Sequence, residues 1–368
     1  MKRGYDPWLI GCFIGLLLMG FLSILSASAP RASLRFDDPF YYFKRQLISF
    51  IFSLPIFVFF LKLSPKFLKK WTFPLLGVVI LLLILVLVPG IGIKAGEARR
   101  WIKAPIFVFQ PSELAKLGLV LFLAKTSVEY PKTELQDFLR PLAILFTVVG
   151  LVLLEPDFGT AGFLYILGIL LMFLYGWRLT HLVFATLALI PPLILVGISK
   201  SYIFKRFMDF LAYLEDPTQA PYQLKQGFLA LAKGGLLGVG IGLGKQKFFF
   251  LPLPHVDFVL ANIGEEFGFL GITGIGMAFF IIFWRGVKIA LKHPDPFSGN
   301  LAIGLGLMLA LQAFLNMGVV LGIFPITGLP LPFISYGGSS LLISLVSMGI
   351  LLRTSQDAGE KKIWRQGF

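Results

Sequence analysis

Long, unbroken apolar runs leave this chain few folds. Val78-Val79-Ile80-Leu81-Leu82-Leu83-Ile84-Leu85-Val86-Leu87-Val88 is typical, and many such runs reach the ~20 residues that cross the hydrocarbon of a bilayer as a helix. In lipid only helices or closed barrels satisfy the backbone, and a barrel strand alternates where these runs do not. At 57% hydrophobic and 14% charged, the composition lies outside that of soluble globular domains. The expectation is an all-α integral membrane protein of about ten transmembrane helices, a single polytopic domain over residues 1–368.

The spans fall near 8–28, 45–63, 71–89, 110–127, 140–154, 159–177, 179–199, 262–286, 298–323 and 335–353. The first resembles a signal peptide with Ser26-Ala27-Ser28-Ala29 behind it. Its apolar stretch exceeds the 7–15 residues of a signal core, so it reads as an uncleaved span. An even count puts both termini on one side. That side carries Lys62, Lys66, Lys69 and Lys70, then Arg285, Lys288 and Lys292, then Lys361, Lys362 and Arg365. The positive-inside rule makes it cytoplasmic. Part of the net charge of +14 is thereby anchoring charge, and no nucleic-acid partner is expected. The single cysteine, Cys12, excludes an internal disulfide and a Cys-based metal site.

The opposite side is also basic. The 90–109 loop holds Lys94, Arg99, Arg100 and Lys103 against Glu97, and the 200–261 connection holds Lys200, Lys205, Arg206, Lys225, Lys233, Lys245 and Lys247. Such residues do nothing for orientation but suit an anionic ligand such as a lipid-linked phosphate, with Arg99-Arg100 beside the interfacial Trp101 the strongest case. The long connection is amphipathic rather than disordered. Its glycines at 234, 235, 238, 240, 242 and 244 would let backbone approach a ligand, and they match no nucleotide-binding fingerprint.

Four segments hold the chemistry. Lys245 to Gly268 crowds His255, Asp257, Glu265 and Glu266 beside Pro252 and Pro254. Ionisable groups at the edge of an apolar helix point to a site, with Asp257 as the general base and the two glutamates as helix-start charges. Gln110-Pro111-Ser112-Glu113 opens the fourth span, where Glu113 and Lys116 share a face and read either as a structural pair or as groups orienting a substrate. Glu155-Pro156-Asp157-Phe158-Gly159-Thr160 reads as a structural turn, with Asp157 and Thr160 capping a helix. Pro325 to Ser340 makes irregular backbone at membrane depth, tolerated where it is buried in protein or lines a cavity. No histidine spacing suggests zinc.

Taken in order, these segments resemble the SEDS family of shape, elongation, division and sporulation proteins, the FtsW/RodA/SpoVE group. The resemblance runs through Ala98-Arg99-Arg100-Trp101-Ile102, Gln110-Pro111-Ser112-Glu113 with Lys116, Pro156-Asp157 with Gly159-Thr160, and Gly234-Gly235-Leu236 with Gly238. It continues through Lys245-Gln246-Lys247, His255 with Asp257-Phe258, Gly264-Glu265-Glu266, and Ser335-Tyr336-Gly337-Gly338-Ser339-Ser340. Ala98-Arg99-Arg100-Trp101 and Gly244-Lys245-Gln246-Lys247 are closer to the division-type branch. The family pattern Pro-Glu-x-His-Thr-Asp is Pro252-Leu253-Pro254-His255-Val256-Asp257 here, so Leu253 and Val256 depart from it.

The resemblance implies a peptidoglycan glycosyltransferase of the bacterial inner membrane that polymerises lipid II on the outer face. It implies a class B penicillin-binding protein (a transpeptidase) as partner, among other division or elongation proteins. It places the essential aspartate on Asp257 and the functional glutamate and lysine on Glu113 and Lys116. With these, Arg99, Arg100, Lys245, Lys247, His255, Ser335, Gly337, Gly338 and Ser339 are the expected substrate-binding residues, with a divalent cation (Mg or Mn) as possible helper. The alternative is a lipid II flippase; the lack of comparable charge on the inner half favours the enzyme.

Overall fold

The computed structural model describes residues 4–95, 98–103, 108–130, 135–187, 201–248, 250–252 and 254–358. Glu97, Lys200, Leu253, Lys361, Lys362, Arg365 and the 188–199 half of the expected seventh span lie outside them, as does the side chain of Lys94. The helices are α1 (Pro7–Phe36), α2 (Tyr41–Lys62), α3 (Pro65–Leu87), α4 (Pro111–Glu129), α5 (Leu135–Leu154) and α6 (Phe158–Leu174). They continue with α7 (Ser201–Glu215), α8 (Tyr222–Gly234), α9 (Val259–Lys292), α10 (Pro296–Val320) and α11 (Gly338–Asp357). Residues 179–187 are also helical.

Several starts are legible as a cap followed by proline. Asp6 accepts from the Trp8 and Leu9 amides ahead of Pro7, Ser64 from Lys66 around Pro65, and Asp295 from Ser298 around Pro296. Among the described residues seven helices are long and apolar enough to cross a membrane. The 17-residue α6 is shorter, and α4 carries Glu113, Lys116 and Lys125. That charge is accommodated because α4 is buried along nearly its whole length. Helices α4, α10 and α11 form the centre: 78% of the apolar window of α11 is buried, against 17% for α2.

Three features depart from the expected pattern. The 90–109 loop is a small antiparallel sheet of β1 (Gly92–Ala95), β2 (Ala98–Lys103) and β3 (Val108–Phe109), with Gly92 opposite Ile102 and Ile102 opposite Phe109. The first span runs on to Phe36, where Asp37 ends it with φ 55°. Third, α9 is two helices joined at Gly268 (φ 67°, ψ −164°).

The glycines of the long connection serve that break rather than a ligand. Val239 and Gly240 amides donate to the Glu265 and Glu266 carbonyls, and Phe269 and Leu270 amides donate to Gly235 and Leu236. The groups freed by breaking the helix are thus repaired by a second stretch of backbone. Approach this close leaves no room for side chains: a Cβ on Gly234 would stand 1.9 Å from the Gly264 carbonyl oxygen, and one on Gly238 (φ +83°) 2.2 Å from that of Glu266. Gly238→Ala is therefore expected to destabilise the protein by about 1–3 kcal/mol, read as a lower thermal midpoint in detergent. An unchanged midpoint would mean the loop does not pack on the break.

Candidate active site

Asp257 sits one residue ahead of the N-cap of α9. Asn316 of α10 donates to its backbone oxygen at 3.0 Å and to the Leu329 oxygen at 2.7 Å. This fixes Asp257 against the 325–336 segment, where Gly328 (φ +75°) lies beside the carboxylate: a Cβ there would stand 3.7 Å from Oδ2. Burial pushes the Asp257 carboxyl above the usual carboxylate range, the Arg206 and Arg100 cations pull it back, and Asp157 adds to the rise. The aspartate is half-shielded and lies within the field of two guanidiniums that come from distant parts of the chain.

Arg100 reaches the site from β2. It donates to the Pro156 carbonyl and lies 3.7 Å from Asp157. Arg100 falls at an irregularity in the pairing, where the neighbouring Arg99 and Trp101 stand opposite the consecutive β1 residues Lys94 and Ile93. Asp157 caps Thr160, as its turn suggests, and also accepts from Gln110 at 3.2 Å. The 155–160 turn is thus part of the cluster around Asp257 and more than a helix cap. Neighbouring Glu155 is fully buried with neither oxygen bonded, and burial pushes it up to about 9, so it is neutral at pH 7. Arg206 of α7 donates to the Ile326 carbonyl at 3.1 Å from the far side.

Below the aspartate lies a polar relay. Lys116 binds Glu113 at 2.7 Å and Gln312 Oε1 at 2.8 Å, and Gln312 Nε2 donates to the Pro330 carbonyl at 2.7 Å. Gln312 and Asn316 stand four apart on one face of α10. The buried Glu113–Lys116 pair therefore reaches the 328–332 backbone beside Asp257 through an amide ladder. Reasoning from the sequence missed Gln312 and Asn316, and it named Arg206 only as one of the basic residues suited to an anionic ligand. The signal for the first two was a pair of amides at helical spacing in an apolar span.

Other expected site residues hold the frame instead. Lys247 spends its three donors on Glu266 (2.7 Å), Ser26 (2.8 Å) and the Gly242 carbonyl (2.7 Å), which leaves none for a phosphate. Lys245 is exposed, and its amide, with that of Gln246, binds the Glu265 carboxylate. Glu265 and Glu266 are thereby loop anchors rather than helix-start charges. His255 is buried against Tyr42 and Tyr336, and burial holds its ring down at about 4, with Arg31 adding to the effect. It is neutral at pH 7, and its backbone oxygen takes the Tyr336 amide.

Ser335 donates to the Val256 carbonyl and accepts from the Leu331 amide. Ser339 donates to the Val108 carbonyl and accepts from the Gln110 amide, and the Gly337 amide is taken by Gln46. Gly338 opens α11. Val256, where the family pattern has threonine, contributes its carbonyl. Among the described residues no three His, Cys, Asp or Glu side chains converge to hold a metal ion.

The sequence pattern described as cell cycle protein, FtsW/RodA/SpoVE, matches residues 7–360. The chain is 39% identical over 355 residues to a probable peptidoglycan glycosyltransferase FtsW of Trichlorobacter lovleyi, covering 95% of this chain and 93% of that one. It is 38% identical over 358 residues to the stage V sporulation protein E of Bacillus subtilis, covering 96% and 98%. Its fold matches a chain solved in work on how a peptidoglycan synthase complex coordinates polymerization and crosslinking. The TM-score is 0.78 at 31% identity, over 97% of this chain and 99% of that one. With these matches over almost its full length, the chain belongs to the FtsW/RodA/SpoVE family.

Proposed function

We propose that this multi-pass membrane protein is a peptidoglycan glycosyltransferase that polymerises lipid II, with Asp257 as general base. The observation that carries the reading is a half-buried carboxylate fixed by Asn316 beside Gly328 and within the field of Arg100 and Arg206, in a family whose relatives bear that activity in their names.

In the reaction the ionised Asp257 takes the proton of the acceptor sugar's 4-hydroxyl. That oxygen attacks the anomeric carbon of the donor, and the bond from that carbon to the lipid pyrophosphate breaks, its electron pair leaving with the phosphate. Arg100 and Arg206 meet the charge that develops on the leaving group. Displacement from one side inverts the anomeric centre, turning an α-linked donor into a β-linked strand. Glu113, Lys116, Gln312 and Asn316 position the backbone around the base. The site faces the outside, with both termini cytoplasmic on the side of Arg285, Lys288 and Lys292. The strands made there are crosslinked by a class B penicillin-binding protein.

The test is to incubate the purified protein, alone and with its transpeptidase partner, with labelled lipid II, and to resolve the product on a gel. Glycan polymer is the expected result. Lipid II crossing vesicle membranes without polymer under any condition would replace the enzyme by a flippase.

Arg206 offers a pH test. Asp257 works ionised, so activity falls as pH drops through its pKa. Removing the Arg206 charge removes a force that lowers that pKa. The acid limb of the rate profile of Arg206→Gln is therefore expected at higher pH than in the parent. A limb that stays in place would take Arg206 out of the site.

A further inference from the structure

The loop that repairs the break in α9 presents its apolar side chains outward. Leu236 is 71% exposed, Leu237 77%, Ile241 59% and Leu243 68%, with Phe248 half-exposed beyond them. A loop in water does not gather such a surface. The helix it pairs with supplies a ruler. Trp284, and Trp8 beside the Asp6–Arg285 ion pair, mark one membrane interface. Leu270 lies 14 residues along α9 from Trp284, about 21 Å at helical rise. The hydrocarbon is about 30 Å thick. The Leu270 amide is bonded to the Leu236 carbonyl at 3.2 Å, so the loop begins well short of the far interface.

We propose that residues 236–248 form a re-entrant shelf immersed in the hydrocarbon of the leaflet far from Arg285, Lys288 and Lys292. Three further observations name lipid as the occupant. The exposed leucines continue the apolar surface of Phe269 and Leu270, which are 58% and 59% exposed on the spanning helix itself. Much of the loop's polar backbone is paired within the protein, which lowers the cost of placing it in hydrocarbon: the Gly238, Val239, Gly240, Leu243 and Phe248 amides and the Gly235, Leu236 and Gly242 carbonyls have partners. Its one buried charge, Lys247, is neutralised by Glu266, and its other cation, Lys245, is exposed on a stem long enough to reach the head groups. Because Glu265 ties the Lys245 and Gln246 amides to the helix that starts beside Asp257, the shelf fixes the height of the aspartate over the hydrocarbon.

The test uses the full chain, with Cys12→Ala, in phosphatidylethanolamine–phosphatidylglycerol vesicles. Nitroxides are placed singly at Leu237→Cys and Leu243→Cys, with Leu81→Cys on α3 as lipid reference and Glu215→Cys as water reference. Labels at 237 and 243 are expected to lose access to a water-soluble nickel chelate and gain access to oxygen, as at 81. Chelate access like that at 215 would put the loop in water. Exclusion of both reagents would mean a second copy covers it. Either result overturns the proposal. On the unmodified protein, a phospholipid with a carbene-generating acyl chain is expected to crosslink to the 236–247 stretch; its absence from the labelled peptides would overturn the proposal as well.

Discussion

Replacing Asp257 by asparagine is expected to lower lipid II polymerisation by at least about 10²–10⁴-fold, the range lost with a general base. Asparagine has nearly the same size and keeps the backbone oxygen that Asn316 holds, so the packing against Gly328 and Leu329 survives. What disappears is the ionisable oxygen within the field of Arg100 and Arg206. Lipid II binding, which rests on the cations, is expected to stay within a few-fold. Asp157→Asn is the informative control. It frees Arg100 from its ion pair and removes a charge that raises the Asp257 pKa, so it should shift the acid limb downward rather than abolish polymer. Polymerisation by Asp257→Asn within about tenfold of the parent would remove Asp257 as the base.

Seven of the ten expected spans were legible because each is a local fact: about twenty apolar residues, often behind a cap and a proline, specify a helix without help from the rest of the chain. Asp257 was legible for a related reason, since ionisable groups beside an apolar helix stand out against such a background. What surrounds Asp257 was not. Arg206 and Asn316 meet it across about 50 and 59 residues of sequence, and nothing local distinguishes Arg206 from the other basic residues of an amphipathic helix. Lys247 was misread for the same cause. It looks like a phosphate ligand until its partner, Glu266, is placed opposite it by the break at Gly268. The glycines were read as room for a ligand and prove to be room for backbone, because the helix they repair looks continuous in sequence.

The largest expected effect on stability is at Lys116. Lys116→Met leaves Glu113 buried with no cation and deprives Gln312 Oε1 of its donor. An uncompensated buried charge costs about 3–5 kcal/mol, which lowers the thermal midpoint by roughly 5–10 °C. Adding Glu113→Gln removes that charge, so the double variant should recover most of the midpoint. It should not recover activity to the same extent. Gln312 holds the Pro330 carbonyl, and without Lys116 its other end is untethered, so the 328–332 backbone beside Asp257 is less firmly placed. Thermal unfolding in detergent and polymer yield from the same preparations separate the two effects. Recovery of both in the double variant would make the pair a stabiliser and nothing more. Recovery of stability alone assigns the relay to positioning the site. A single variant as stable as the parent would mean that the pair is open to water and that α4 is not the buried centre of the bundle.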